Sequence, residues 1–447
     1  MNWRSSGQGR VKPVAAVLLL SAYCLVLTAP AASADEPSTA GMKAEIEILK
    51  ERLAKLESQV AEPGTGGGSG GSAGISLPSG LKGVQMSGFV DTSVSLNFNT
   101  PGTRTNTLRI FDTQSNSFML NNTELVIEKP VSSDSRLGFR TDLDFGTDSE
   151  VIGAVTSGLG STTDELDIQQ AYAEYLAPLG NGLDIKAGRF VTLHGAEVVE
   201  SKDNWNFTRS FLFGYAIPAT HTGVRASYPW SDKLTMLVGV NNGWDIVDDN
   251  NSGKTFELGF SSIPFEKASV GTTYMFGPEQ TTNSAQPASG TFGSNTHTRH
   301  LIDVVAGYQV NDALQLKTNF DYGFEEKGVG IGKAATWVGI AGYARYAIND
   351  WWAIAGRTEW FHDADGVRTA FRPAGSGTFG VGNLNGISGL DLKLWEWTIT
   401  NEFKLNKHLL GRLEYRHDQA SEHVFRRNDL GQRPYQDTVS AEVIMPF

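Results

Sequence analysis

The sequence predicts an all-β protein, a sixteen-stranded antiparallel transmembrane β-barrel behind a short N-terminal coiled-coil helix, and three observations predict it. From Val84 to the C-terminal Phe447, apolar residues recur at every second position, the period of a strand with one apolar face. The positions between them carry full charges, where the outside of a soluble sandwich carries mostly Ser and Thr. The connections alternate between tight turns and long loops, an asymmetry that membrane barrels have and that sandwiches or solenoids have no reason to adopt.

In chain order, residues 1–34 read as a cleaved secretory signal. Arg4, Arg10 and Lys12 make a positive leading region, Val14 to Ala29 an apolar stretch, and Ala32-Ser33-Ala34 a small-residue cleavage site. A membrane anchor is the competing reading, but the apolar stretch is short for a span of ~20 residues. Cys24 raises lipidation, against which stands the bulky Tyr23 before it, and cleavage after Ala34 removes this single cysteine. Residues 35–62 hold the helix: Met42, Ile46, Leu49, Leu53, Leu56 and Val60 form the a/d seam of a coiled coil. So short a seam either joins protomers in the periplasm or is a lone amphipathic helix on another surface. Pro63 ends it, and residues 63–83 are a Gly/Ser-rich flexible linker.

The barrel occupies residues 84–447, with strands expected to start near residues 84, 117, 135, 167, 182, 219, 232, 254, 266, 298, 313, 334, 351, 391, 408 and 437. In the last strand Val439, Ala441, Val443, Met445 and Phe447 share one face while Ser440 and Glu442 share the other. Likewise Leu314, Leu316, Phe320, Tyr322 and Phe324 oppose Gln315, Lys317, Asn319 and Asp321. Tight turns such as Pro130–Ser135, Asn311–Asp312 and Asn406–Lys407 alternate strictly with long loops such as Asn99–Asn116, Thr192–Pro218 and Asp363–Gly389. With both termini on the tight-turn side, the helix falls in the periplasm. Trp230, Phe265 and Trp351 beside tight turns, and Trp360, Trp395 and Trp397 toward long loops, fit interfacial girdles. The terminal Phe447, in phase with the apolar alternation, resembles the signal read by outer-membrane barrel assembly machinery.

Bulk properties exclude more than they select. Mean hydropathy is −0.23, the average that a barrel with a polar lumen and an apolar outside also gives. The net charge of −12 becomes −15 once the signal's three basic residues are gone, which argues against a nucleic-acid partner. Beyond Ala34 no run of eighteen apolar residues offers a helical span.

Short motifs in order carry a family resemblance over nearly the whole barrel. They include Gly88-Phe89-Val90-Asp91-Thr92, Asp112-Thr113-Gln114-Ser115-Asn116, Ile168-Gln169-Gln170-Ala171-Tyr172, Gly188-Arg189-Phe190, Asp203-Asn204-Trp205, Asn242-Gly243-Trp244-Asp245 and Glu414-Tyr415-Arg416-His417-Asp418. From about Gly88 onward the chain resembles the β-barrel porin-2 (OmpL-like) family, which implies an outer-membrane channel in contact with lipid, small hydrophilic solutes as its cargo, and an oligomer, with a homotrimer the form weighed.

About sixteen strands leave a water-filled lumen. Alternation points Arg136, Arg140, Lys186, Arg225, Lys317, Arg345, Arg357, Lys393, Arg412 and Arg416 into it, with Asp142, Asp144, Glu257, Asp321, Glu359, Glu396, Glu402 and Glu414. The loop Thr192–Pro218 is the expected constriction loop, with Glu197, Glu200, Asp203 and Arg209 among Trp205, Phe207, Phe211 and Phe213. Acids on the loop facing bases on the wall would set a transverse field; the bland alternative is that these charges pair among themselves, or that the loop folds outward. Asp245, Asp248 and Asp249, and Asp363-Ala364-Asp365-Gly366, hold fragments of a calcium loop without the full twelve-residue pattern. No catalytic motif stands out, so no enzyme, cofactor or metal is expected, although a Ser/His pair in a barrel wall could make a lipase. The expected function is passive diffusion of small hydrophilic solutes and ions. Alternatives are a channel selective for anions or sugars, and a closed barrel whose coiled coil tethers the envelope.

Overall fold

The computed structural model describes residues 83–155, 166–280, 295, 297–329, 333–369, 390–428 and 431–447; the expected signal, helix and, but for Gly83, linker lie outside them. The first strands are β1 (Gln85–Asn97), β2 (Ser117–Lys129) and β3 (Leu137–Phe145), followed by the helix α1 (Thr147–Val155). Then come β4 (Leu166–Ala177), β5 (Leu183–Val191), β6 (Thr220–Ser231), β7 (Leu234–Asn241), β8 (Thr255–Phe265), β9 (Ala268–Pro278) and β10 (Thr298–Gln309). The rest are β11 (Leu314–Val329), β12 (Lys333–Ala347), β13 (Trp352–Asp363), β14 (Leu392–Asn406), β15 (Leu409–Ala420) and β18 (Tyr435–Pro446). The two-residue β16 (Phe425–Arg426) and β17 (Gln432–Arg433) pair only with each other in the final loop.

Sixteen strands, β1 to β15 and β18, close one antiparallel barrel, in which β1 pairs with both β2 and β18. Closure leaves no sheet edge in the hydrocarbon region, which is what lets strands cross a membrane. The seam is tied inside by Ser95 and Ser440, whose hydroxyls lie 2.7 Å apart, and at the rim by Phe447, whose N–H donates to Gly88 O at 2.9 Å. Every expected strand start falls within two residues of the observed one. The strict alternation of loop lengths does not hold throughout: only residues 330–332 separate β11 from β12, on the rim that otherwise carries long loops.

Burial is inverted relative to a soluble domain. Asp91, Glu124, Asp142, Asp321, Glu396, Arg412 and Arg416 are buried, while Phe118, Val238, Phe260, Tyr322, Ile340, Trp395 and Val443 are exposed on the outside. That outer face is a contiguous apolar band, far larger than a soluble monomer leaves to water, and lipid is the solvent it fits. Trp230, Phe265 and Trp351 sit exposed beside tight turns, and Trp351, Trp352 and Phe403 stack with one another.

Candidate functional site

The long chain between β5 and β6, residues 192–219, leaves the wall and turns into the lumen. Gly195 makes the turn at φ +88°, where an added Cβ would also lie 2.6 Å from Ile217. A buried loop must satisfy its backbone polar groups without water. Here the wall does so with charges of both signs. Glu414 accepts the N–H groups of Phe207 and Thr208 at 2.7 and 3.0 Å. Glu359 accepts those of Phe211 and Leu212. In the other sense Arg412 donates to Ser201 O and Asn204 O at 2.9 and 2.6 Å, Lys317 donates to Ala196 O at 2.9 Å, and Arg357 and Arg416 reach Thr208 O and Arg209 O.

Apolar packing completes the attachment. Phe211, Leu212, Phe213, Tyr215 and Ile217 form one buried cluster with Leu108 and Phe111 of the first loop, Val151 and Ile152 of α1, and Trp337, Phe361 and Leu394 of the wall. The Trp337 indole donates to Ala216 O at 3.0 Å. It can lie flat because its β11 neighbour is Gly323, where a Cβ would come within 1.9 Å of the ring.

The sequence-expected residues therefore fall into two groups. Glu197, Arg209, Arg357, Glu359, Glu396, Arg412, Glu414 and Arg416 are buried beneath or within the loop. Glu197 pairs with Arg357 at 2.7 Å; burial pushes its carboxyl up, but Arg357 and the Ser210 N–H outweigh that and hold it below the usual carboxylate range. Arg209 donates to Phe207 O at 2.6 Å and lies over the Phe111 ring, holding the loop to itself. Arg345 pairs with Glu402 at 2.7 Å, Arg225 with Glu257 at 2.9 Å, and Asp321 lies opposite Asp303 in the β10–β11 register. Arg136 reaches Leu176 O at 3.3 Å near a tight turn. Lys393 is a correction: it shares β14's outward parity with exposed Trp395 and Trp397, so it leaves the lumen set, while inward Leu394 is buried.

The second group faces open space. A cavity of about 560 Å³ lies between the loop tip and the inner wall of β1 to β5, toward the tight-turn rim, and Glu124, Glu128, Arg140, Lys186, Glu200 and Lys202 line it with Asp203. Arg140 pairs with Asp142 at 2.8 Å and Glu128 at 3.3 Å, and Lys186 with Glu174 at 3.3 Å. Burial raises the Glu200 carboxyl, and the Lys202 side chain beside it is about one-third exposed (34%). Asp91 is buried behind this space and Glu124 at its wall, each with one carboxylate oxygen that finds no hydrogen-bond partner among the described residues. Sequence reasoning missed Asp91, Glu124, Glu128 and Lys202. The alternation of Glu124, Val126 and Glu128 on β2 was there to be read. The two acidic loops are occupied otherwise: Asp245 accepts the Ala219 and Thr220 N–H groups at 2.7 and 3.0 Å, and Asp363 accepts those of Arg368 and Thr369 at 2.9 and 2.7 Å.

A closed sixteen-stranded barrel with an apolar outside, a charged inside and a long loop folded into its lumen has the architecture of an outer-membrane porin channel. Residues 83–447 match the family described as beta-barrel porin-2, OmpL-like, and the chain belongs to that family. Among solved structures it is similar to OprB of Pseudomonas putida (14% identity, TM-score 0.53, covering 82% of this chain and 96% of that one). It is similar too to an anion-selective porin from Comamonas acidovorans (10% identity, TM-score 0.53, 81% and 99%). The trimer form of OmpT from Vibrio cholerae is another such structure (10% identity, TM-score 0.51, 81% and 99%). No curated protein matches the sequence.

Proposed function

We propose that this protein is a porin of the bacterial outer membrane through which small hydrophilic solutes and ions diffuse passively, with a preference for cations set on the β1 to β5 side of the lumen. One observation carries the reading: Arg357, Arg412 and Arg416 are spent on the loop, while Glu128, Glu200 and Asp203 stand at the open cavity. Arg140 is paired with Asp142 and Lys186 with Glu174, which leaves Lys202 to offset part of that acidity. The remaining field favours cations, because a low-dielectric wall focuses the charge nearest the solute path. On this reading Glu200, Lys202 and Asp203 form the loop side of the constriction, and Glu197 and Arg209 hold the loop in place.

The same reading has residues 1–34 removed on export, residues 35–62 as a periplasmic coiled coil, Phe447 as the signal for barrel assembly, and a homotrimer as the assembled form. The trimer rests on the likeness to a trimeric porin. The test is single-channel conductance and reversal potential of the detergent-purified mature chain in a planar bilayer under a KCl gradient. Ohmic steps with a cation-directed reversal potential are expected. An anion-directed potential would transfer the assignment to an anion-selective channel, and folded protein that inserts without passing current would end the channel reading.

A further inference from the structure

At the root of the inward loop, three side chains that the pore reading does not use converge. His194 is near the start of the loop, His221 is the second residue of β6, and Glu257 is on β8. All three are buried, at 1%, 1% and 0% exposure, and their nitrogen and oxygen ligand atoms lie within 4.8 Å of one another. We infer that His194, His221 and Glu257 form a binding site for a divalent transition metal of the zinc class, pinning the loop's root to the barrel wall.

The hydrogen bonds around the two rings decide which nitrogens are free. His221 Nδ1 lies 3.4 Å from Gly243 O, a carbonyl that can only accept, so the proton is on Nδ1 and Nε2 presents a lone pair. Thr192 Oγ1 lies 3.2 Å from that Nε2 and donates its single proton there while the site is empty, so an ion binding at Nε2 displaces this hydrogen bond and the hydroxyl proton turns away. The same oxygen then accepts from the His194 N–H at 3.2 Å and from His194 Nδ1 at 3.1 Å. His194 Nε2 is thereby also a lone pair, and it has no hydrogen-bond partner among the described residues. Two imidazoles each donating Nδ1–H to an oxygen and presenting Nε2 inward are in the form that metal-ligating histidines take.

Glu257 completes the donor set. Arg225 Nε and Nη2 donate to its two oxygens at 2.9 and 3.0 Å, which orients the carboxylate and leaves each oxygen a second lone pair. Two imidazole nitrogens and one carboxylate suit Zn²⁺, and exclude Mg²⁺ and Ca²⁺, which want oxygen ligands throughout. Three protein ligands leave a fourth position for water.

The test uses the mature chain refolded in detergent, stripped with EDTA, and titrated calorimetrically with ZnCl₂ at pH 7.5. One site per chain is expected, weakened about 100-fold or more in His194→Gln and in His221→Gln and unchanged in His417→Gln, which alters a histidine on the outer face. Heat-modifiable gel migration reports whether each variant is folded. Wild-type protein that binds no Zn²⁺, or binding that survives both lumen substitutions, overturns the assignment. Should those variants fail to fold, Co²⁺ bound to the wild-type chain decides: intense visible absorption of a four-coordinate ion is expected, and the weak spectrum of the six-coordinate ion overturns it.

Discussion

The two halves of the lumen are built from the same residue types and do different things. On the β11 to β15 and β18 side, Arg357, Glu359, Glu396, Arg412, Glu414 and Arg416 are none of them more than 3% exposed, because the inward loop covers them. On the β1 to β5 side, Arg140, Glu128 and Lys186 are about 30% exposed, at 30%, 30% and 29%, and face a loop tip whose Asp203 is 55% exposed. Both halves carry alternating charges on inward-facing strand positions. The difference teaches that a charge inside a barrel is not yet a charge on the pore: Arg357, Glu359, Arg412, Glu414 and Arg416 replace water for a buried backbone, whereas Arg140, Glu128, Lys186 and Asp203 meet water and solute.

The comparison would break most visibly if the covered half were opened. Glu359→Ala removes the acceptor for two loop N–H groups, those of Phe211 and Leu212, and leaves Arg416 and Arg357 less compensated. A loss of about 3–5 kcal/mol in loop attachment is expected for breaking such a buried network. Chemical denaturation followed by tryptophan fluorescence, together with noisier and larger channel currents, would report it. Unchanged stability and current would mean that the wall does not hold the loop.

Charge reversal on the open half should act on selectivity and leave the fold alone. Glu128→Lys combined with Asp203→Lys is expected to move the reversal potential under a KCl gradient from the cation to the anion direction. Stability should fall by about 1 kcal/mol or less, because the Glu128–Arg140 pair that is lost is partly exposed to water. Selectivity that does not move would place the solute path elsewhere.

The smallest effect sharpens the boundary between the halves. Asp148 on α1 lies 3.8 Å from Arg209 of the loop; burial raises its carboxyl from 3.8 to about 7, with Arg209 pulling the other way. A raised folded-state value means its contribution to loop packing is full below about 3.8, declines as pH rises through that window, and is gone above about 7. Current noise is therefore expected to grow between about pH 4 and pH 7, and Asp148→Asn should flatten the profile. A profile unchanged by the substitution would assign the pH response to another group.

Much of this molecule was legible before its structure. Period-two alternation placed every barrel strand start to within two residues, because a one-residue slip would put charges into lipid. The aromatics of Thr192–Pro218 suggested a loop with something to pack against. The same alternation pointed Arg357, Glu359, Arg412, Glu414 and Arg416 inward, and it was silent on what stands in front of them. Lys393 was assigned to the wrong face, since at a strand end one residue of register decides between lumen and lipid. The short β11–β12 connection also escaped the rule of alternating loop lengths.

The sequence by itself determined the barrel, its strand number and which side chains point inward, because those follow from a local period of two and from the need to satisfy every backbone group within the sheet. Only the tertiary structure decided which inward charges are free. That depends on pairs such as Glu414 with Phe207 or Glu197 with Arg357, 207 and 160 residues apart in the chain, whose meeting is set by closure of the barrel and the path of one loop. No local pattern encodes such a distance.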